Sequence, residues 1–257
     1  MHPVIFQIGG FALRGYGLMA MLGFLTAWAL MRSNRRYAGL SEDQTSNLLL
    51  IAMAGGIGGA RIFYVAMNFD YYRENWTRII RIDQGGLVFY GGFLLAMALV
   101  VFYSRRCKLD VVRVLDIFAP AMAAAHACGR IGCFLNGCCF GSPTDCVLGV
   151  SYPEGSAPAL RYPGEKLHPV QLYEALENVA ACFLYWHLVR RGKRGMAMAA
   201  YMCVYGICRF ANEFLRGDNP HWSGLTPAQW IGLGLIPVGG ALLVYFGTRG
   251  GDGAKAA

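Results

Sequence analysis

The chain has 257 residues, of which 56% are hydrophobic and only 15% are charged, and its formal net charge is +8. This composition is too apolar for an ordinary soluble domain, because the apolar residues come in long blocks. A basic chain can bind nucleic acid, but here the positive charges are divided among short segments between apolar blocks. The composition therefore argues against a nucleic-acid partner.

The apolar blocks predict an all-α integral membrane protein with about seven transmembrane helices and small external elements. In chain order the blocks are Tyr16–Met31, Asn47–Met67, Gly85–Tyr103, Val114–Cys128, Leu172–Val189, Met196–Cys208 and Leu225–Phe246. Several are shorter than the ~20 residues that cross a bilayer directly. Arg61, Arg130 and Arg209 lie at or near the ends of such blocks, so we expect each to extend its helix and face the bundle interior.

The distribution of basic residues predicts the orientation. The first residues, MHPVIFQIGGF, lack the basic stretch and cleavage site of a signal peptide, so we expect the first block to be retained. Basic clusters follow blocks one, three, five and seven, and the positive-inside rule makes that side cytoplasmic. The N-terminus, the loop 68–84 and the segments 130–171 and 209–224 are then outside, and the C-terminus is cytoplasmic.

The chain contains no internal repeat or flexible linker, so we predict a single polytopic membrane domain over residues 1–257. The segments 130–171 and 209–224 are its external loop or head segments. Glycines recur within the blocks, as in GGIGGA at Gly55–Ala60 and GGLVFYGG at Gly85–Gly92. Since small residues let membrane helices approach closely, we expect most of these glycines to serve helix packing.

The segment Ala127–Gly141, ACGRIGCFLNGCCFG, is the first candidate site. An arginine at bilayer depth costs about 2.5–3.5 kcal/mol on insertion scales, so Arg130 is expected to have a partner or a function. A guanidinium group can bind a phosphate through two parallel hydrogen bonds. Glycine lets the backbone come close to a ligand. The segment therefore predicts a site for a phosphate-bearing lipid.

The second candidate is YGICRFANEFLR at Tyr205–Arg216. In a helix, Tyr205, Arg209 and Glu213 share one face, as do Arg209, Glu213 and Arg216. A glutamate between two arginines would hold both in position and reduce their mutual repulsion. A solvated ladder of charges is the alternative, but the helix continues directly from an apolar block, which favours a buried site.

The third candidate is HPVQLYE at His168–Glu174, which begins the fifth block. Pro169 suits a first helical turn, and Glu174 is favoured near a helix N-terminus, so an ordinary helix start explains both. It does not explain Gln171 and Tyr173 equally well. We therefore include His168, Gln171 and Glu174 among the candidate substrate-binding residues. His126 and His187 are expected to be core or interface residues.

Together these motifs resemble those of the prolipoprotein diacylglyceryl transferases, the membrane enzymes of bacterial lipoprotein maturation. The motifs that carry the resemblance are PVIFQIG at Pro3, YGLM at Tyr16, GGARIFYV at Gly58, GGLVFYGG at Gly85, GRIGCFLNG at Gly129, HPVQLYE at His168, YGICRFANEFLR at Tyr205 and AQW at Ala228. The resemblance implies a seven-helix protein of the bacterial inner membrane with its N-terminus outside. It also implies transfer of a diacylglyceryl group from phosphatidylglycerol to the lipobox cysteine thiol of a preprotein. A thioether forms, glycerol phosphate leaves, and no metal or organic cofactor is implied.

The resemblance also assigns residues. Arg130 and Arg209 match the essential arginine pair, which is expected to hold the phosphate and stabilise the charge that grows on it as the C–O bond breaks. Glu213 would orient Arg209, and Tyr16 and Asn136 would line the lipid site. The other candidate substrate-binding residues in the matching motifs are Gly141, Tyr205, Arg216, His168, Gln171 and Glu174.

Three positions depart from the common family pattern. Tyr90 stands where many members have a histidine that has been viewed as the base for the substrate thiol. The family often has an asparagine where this chain has Cys133, and a glutamate where it has Cys138. A tyrosine hydroxyl is protonated at neutral pH and accepts a proton only if positive charge lowers its pKa; otherwise the acceptor thiol needs only modest help from the positive site. Tyr90 is kept as a candidate catalytic residue.

Four cysteines, Cys133, Cys138, Cys139 and Cys146, lie in a segment expected to face an oxidising compartment. Cys133 could form a disulfide with Cys138 or Cys139. The cysteines could equally pack a tight turn as small buried residues. A metal site is the least favoured explanation, because the spacing is not that of a CxxC pair.

Two other functions compete with the transferase. A paralogue could move a lipid group to a different acceptor. A non-catalytic protein could keep the arginine pocket and only bind phospholipid.

Overall fold

The computed structural model of the chain describes residues 4–8, 11–82, 85–217 and 224–249. The strands are β1 (Val4–Ile8) and β2 (Phe11–Arg14), and they pair antiparallel with Gln7 opposite Ala12. The helices are α1 (Gly15–Asn34), α2 (Glu42–Met67), α3 (Phe69–Glu74), α4 (Phe89–Arg106), α5 (Val111–Asn136), α6 (Ala157–Arg161), α7 (Val170–Arg190), α8 (Met196–Glu213) and α9 (Pro227–Arg249). Short 3-10 turns cover Arg35–Ala38 and Trp76–Arg78.

Each of the seven apolar blocks lies mostly on one long helix, in agreement with the predicted helical membrane protein, but residues 85–88 and 225–226 precede α4 and α9. Within the described part of the chain, α2, α5 and α9 are long and apolar enough, by length and composition, to cross a membrane. The second predicted external segment includes residues 218–223, which lie outside the described residues. Both chain ends also lie outside them.

Two helices extend further than the hydropathy predicted. Helix α5 continues eight residues beyond Cys128, and α8 continues five residues beyond Cys208. Residues 130–136 and 209–213 are therefore helical, as expected if Arg130 and Arg209 extend their helices. That 130–171 and 209–224 lie outside the membrane stays a prediction. Hydropathy falls at Arg130 and Arg209, but the backbone hydrogen bonding continues because both side chains have partners inside the protein.

The chain divides into two compact units, Ala38–Val114 and the combination of Met1–Tyr37 with Leu115–Ala257. In the first of these, α2 packs on α4 through small residues. A side-chain carbon on Gly59 would collide with the carbonyl oxygen of Gly91, and one on Gly92 with that of Gly56. These glycines therefore serve close helix packing, as the sequence predicts.

Arg61 of α2 is a structural residue in the unit Ala38–Val114. Its side chain is buried and donates hydrogen bonds to the carbonyl oxygens of Arg78 and Ile79, each at 2.7 Å. It also donates to Gly85 O at 2.9 Å and to Gly86 O at 3.0 Å. One guanidinium group therefore fixes the backbone on both sides of residues 80–84.

Replacing Arg61 with alanine is expected to destabilise this unit by about 3 kcal/mol, because it leaves several backbone carbonyls without a donor. Thermal unfolding of the purified protein and hydrogen exchange at residues 78–86 measure the effect. Arg73→Ala is the matched control, because Arg73 is exposed at the end of α3. Equal unfolding temperatures for the two variants would contradict the structural role of Arg61.

In the other unit, Asp116 of α5 anchors the start of α8. The fully buried carboxylate accepts hydrogen bonds from the Tyr37 hydroxyl at 2.7 Å, from Gly195 N at 2.6 Å and from Met198 N at 2.9 Å. It thereby satisfies backbone N–H groups that the first turn of α8 leaves without partners. Arg130 lies fourteen residues after Asp116 on α5, and Arg209 lies fourteen residues after Gly195, which precedes α8. Because both helices rise equally per residue, the two arginines lie at the same height along the pair of helices.

Candidate functional site: an arginine pair on a buried glutamate

Arg130 and Arg209 meet at the carboxylate of Glu174, which α7 contributes. Arg130 Nε lies 2.5 Å from Glu174 Oε2, and Arg209 NH1 lies 3.3 Å from Glu174 Oε1. The Glu174 side chain is 4% exposed, and the arginine side chains are 14% and 13% exposed. Three helices that are far apart in the sequence therefore build one ionic cluster.

A second carboxylate holds Arg209 from its own helix. Glu213 Oε2 lies 2.8 Å from Arg209 NH2, and the two residues are four apart on α8. The predicted shared face of Arg209 and Glu213 is therefore present in the structure. Because Glu213 is buried, this pair is shielded from water, and it restricts the rotation of the guanidinium group.

His126 is a member of the cluster that the sequence analysis missed. Arg130 Nε donates a hydrogen bond to His126 Nε2 at 3.0 Å, and the imidazole ring lies 6.0 Å from the ring of Tyr205. His126 is one helical turn before Arg130, so the i, i+4 spacing was a signal for this contact. We expected a core or interface residue; the structure places it against an arginine.

A set of backbone hydrogen bonds gathers three further predicted residues beside the cluster. Gly141 N donates to His168 O at 3.1 Å, His168 N donates to Ser142 O at 3.0 Å, and Gly141 pairs with Arg216 in an antiparallel bridge. A side-chain carbon on Gly141 would collide with His168. Glycine is therefore required for this close approach of two backbone segments.

Gln171 is buried, and its side chain is hydrogen-bonded to other residues of the protein. Its side chain is fully buried, donates from Nε2 to Cys138 O at 2.9 Å, and accepts from the Tyr152 hydroxyl at 3.4 Å. It joins the first turn of α7 to the turn after α5. His168 Nδ1 similarly lies 3.4 Å from the Tyr173 hydroxyl.

Tyr16 and Asn136 are exposed at the helix ends near this region. Tyr16 is the second residue of α1, and a side-chain carbon on Gly132 would lie 3.2 Å from Tyr16 Cδ2, so α1 packs closely on α5 there. Asn136 is the last residue of α5. Tyr90 lies in the first turn of α4 in the other compact unit, where its side chain is 45% exposed.

All nine cysteines are free thiols in the structure, so the disulfide that was one explanation for the cysteine-rich segment is not formed. Cys133, Cys138 and Cys139 nevertheless lie together, with their Sγ atoms within 4.8 Å of one another.

The ionic cluster is arranged to bind an anion. Each guanidinium group carries five N–H donors, and within the described part of the chain the contacts of Arg130 engage only its Nε. Its two terminal nitrogens can therefore donate to a phosphate in the two-bond geometry that guanidinium groups favour. The two carboxylates balance the two arginines, which lets both charges remain in a mostly buried place.

The family model described as prolipoprotein diacylglyceryl transferase matches residues 3–245. The chain is similar to the phosphatidylglycerol--prolipoprotein diacylglyceryl transferase of Clostridium tetani, with 34% identity over 93% of this chain and 95% of that protein. The protein of the same name from Clostridium kluyveri is 33% identical over 97% of this chain and 98% of its own length.

Proposed function

Because the chain belongs to the prolipoprotein diacylglyceryl transferase family, we propose that it transfers the diacylglyceryl group of phosphatidylglycerol to the lipobox cysteine of prolipoproteins. Glycerol phosphate is the leaving group. The observation that carries the proposal is the convergence of Arg130 and Arg209 on one buried carboxylate.

The arginine pair suits the charge change of this reaction. The acceptor thiolate attacks the glyceryl carbon, the S–C bond forms, and the C–O bond to phosphate breaks. The phosphodiester carries one negative charge, whereas the departing phosphomonoester approaches two. Donors already fixed in place stabilise that growing charge without reorganising during the reaction. Glu174 and Glu213 hold the two guanidinium groups in place. Glu174 therefore acts as a positioning residue rather than as a ligand for substrate.

The other candidate residues take roles consistent with their surroundings. Tyr16, Asn136, Tyr205 and Arg216 contact the lipid or the acceptor peptide. Gly141, His168 and Gln171 hold the backbone beside the arginines. Tyr90 accepts the proton of the acceptor thiol.

In this proposal all seven long helices cross the bacterial inner membrane, and residues 1–257 work as one polytopic domain. The N-terminus is outside and the C-terminus is cytoplasmic. The basic clusters after the first, third, fifth and seventh blocks support this orientation.

Release of glycerol phosphate from headgroup-labelled phosphatidylglycerol tests the function. The purified protein in phosphatidylcholine nanodiscs is expected to release it only when a lipobox peptide is present, one equivalent per peptide modified. A peptide with serine in place of the cysteine is the control. Release with another acceptor but not with the lipobox peptide would support a paralogue, and lipid binding without release would support a non-catalytic protein.

Tyr90→Phe tests the proposed base. Loss of the hydroxyl is expected to lower the transfer rate about a hundredfold at neutral pH, within the usual contribution of a general base. The loss should shrink as the pH rises and the acceptor thiol ionises in solution. Turnover equal to that of the unmodified protein at neutral pH would exclude Tyr90 as the base.

A further inference from the structure

Three thiols meet where α5 ends. The Sγ atoms of Cys133, Cys138 and Cys139 all lie within 4.8 Å of one another. Among the described residues, no other group of three His, Cys, Asp or Glu side chains brings its ligand atoms together in this way. All three thiols are free and partly exposed. The mechanism above gives them no role.

The end of the helix explains why they meet. Gly137 has a left-handed backbone with φ 74°, its N–H donates to Phe134 O at 3.2 Å, and Cys138 N–H donates to Cys133 O at 3.1 Å. These are the paired hydrogen bonds of a Schellman motif, which brings the residue after the glycine against the residue five positions earlier. Both of those residues are cysteines here.

Cys139 completes the group with a backbone conformation that non-glycine residues seldom adopt. Its φ is 60°, in the left-handed region. Such conformations persist where the surrounding structure enforces them, and they are concentrated at functional sites.

The sulfur separations suit a shared metal ion better than a disulfide. Zinc binds a thiolate at about 2.3 Å, which places two sulfurs of a tetrahedral site about 3.8 Å apart. Sulfurs within 4.8 Å of one another reach that geometry by moving about 1 Å. A disulfide joins only two sulfurs, at about 2.05 Å, and leaves the third unused. Three soft ligands select a thiophilic ion.

We propose that Cys133, Cys138 and Cys139 bind one zinc ion, and that the fourth position on this ion takes the acceptor thiol. The second half of this inference rests on the proposed function, because there the acceptor is a cysteine. Three protein ligands with one open position is the arrangement of catalytic zinc sites.

The position of the thiols beside the arginine pair supports this role. Arg130 lies three residues before Cys133 on the same helix, and Gly141, two residues after Cys139, pairs with Arg216 in an antiparallel bridge. A thiolate held on the ion would therefore be adjacent to a bound phosphate. The surrounding positive charge also balances the net negative charge of a zinc ion with three thiolates.

The step balances without a redox change. The acceptor S–H loses its proton as its sulfur coordinates the ion, because a coordinating thiol is deprotonated. Tyr90 takes that proton and passes its own hydroxyl proton to water. The thiolate sulfur then attacks the glyceryl carbon. The S–C bond forms, and the electron pair of the broken C–O bond leaves with glycerol phosphate. In this arrangement the ion lowers the pKa of the acceptor thiol, and Tyr90 carries the released proton away.

Metal content tests the site itself. The full-length protein in nanodiscs, incubated with zinc chloride and desalted, is expected to retain one zinc per chain. Single serine substitutions at Cys133, Cys138 and Cys139 should lower retention at least tenfold. Cys182→Ser and Cys203→Ser, on α7 and α8 away from the cluster, are the matched controls and should keep it. No retained zinc in the unmodified protein would overturn the proposal.

Cobalt tests the open position without relying on activity. The protein loaded with Co²⁺ should show a thiolate-to-cobalt charge-transfer band that intensifies when a lipobox peptide is added. A serine peptide should leave the band unchanged. An identical response to both peptides would overturn the assignment of the fourth position.

The release assay separates this inference from the proposed function. Full glycerol phosphate release by metal-free protein would overturn the zinc proposal and leave the transferase intact. A cobalt band that responds to the peptide, in a protein that releases no glycerol phosphate, would overturn the transferase and leave the thiol-binding site.

Discussion

Replacing Arg130 or Arg209 with lysine is expected to lower kcat/KM for diacylglyceryl transfer about a hundredfold. Lysine keeps the positive charge that Glu174 requires, so the buried cluster stays balanced and the protein is expected to fold. It loses the planar pair of donors that binds a phosphate through two hydrogen bonds. Loss of one such donor to a developing charge typically lowers the rate by about 10²–10³. Alanine at either position is expected to abolish modification of a lipobox reporter.

Arg190→Lys is the matched control for these variants. Arg190 ends α7, is exposed, and lies over the ring of Trp186 at 4.9 Å. It should keep full activity in the same glycerol phosphate assay. Activity of Arg130→Lys and Arg209→Lys equal to that of Arg190→Lys would contradict the proposed contact with phosphate.

Glu174→Gln is expected to cause the largest combined loss of stability and activity. Glutamine keeps the shape of the side chain but removes the charge that both arginines share. Removing one partner of a buried ion pair typically costs about 3–5 kcal/mol, because it leaves an uncompensated charge. The arginines would also repel each other, and we expect the transfer rate to fall about a hundredfold or more.

Glu177→Gln separates this effect from a general effect of changing α7. Glu177 lies one turn further along the helix and accepts a hydrogen bond from Asn212 Nδ2 at 2.6 Å. Its substitution should lower the transfer rate by less than tenfold. Thermal unfolding and the release assay should be measured on both variants. Faster transfer in Glu174→Gln would mean that Glu174 competes with the phosphate, which contradicts its positioning role.

Much of the fold was predictable from the pattern of apolar residues. All seven apolar blocks lie mostly on long helices, and family membership confirms the resemblance that the ordered motifs indicated. The helix ends were not predictable in the same way. The apolar run ends before Arg130, but α5 continues to Asn136, and the left-handed Gly137 after it ends the helix. Backbone hydrogen bonding sets the end of α5, and Gly137 is the feature of the sequence that indicates it.

Periodicity predicted only the local part of the site. The contact between Arg209 and Glu213 follows from their spacing on one helix, and that between His126 and Arg130 follows the same rule but was overlooked. The role of Glu174 could not be read from spacing, because its partners come from two other helices. An ordinary helix start does not account for Glu174, because the first turn of α7 contains no acidic residue.

In the proposed mechanism Arg130 and Arg209 act together on one phosphate. A double-mutant cycle of Arg130→Lys, Arg209→Lys and the double variant, measured as kcat/KM for glycerol phosphate release, tests this joint action. Residues that act as a unit are strongly non-additive. The double variant should therefore be within about tenfold of the slower single variant. A double variant slowed by the product of the two single effects, about ten-thousandfold, would show that the two arginines act independently and would contradict the claim.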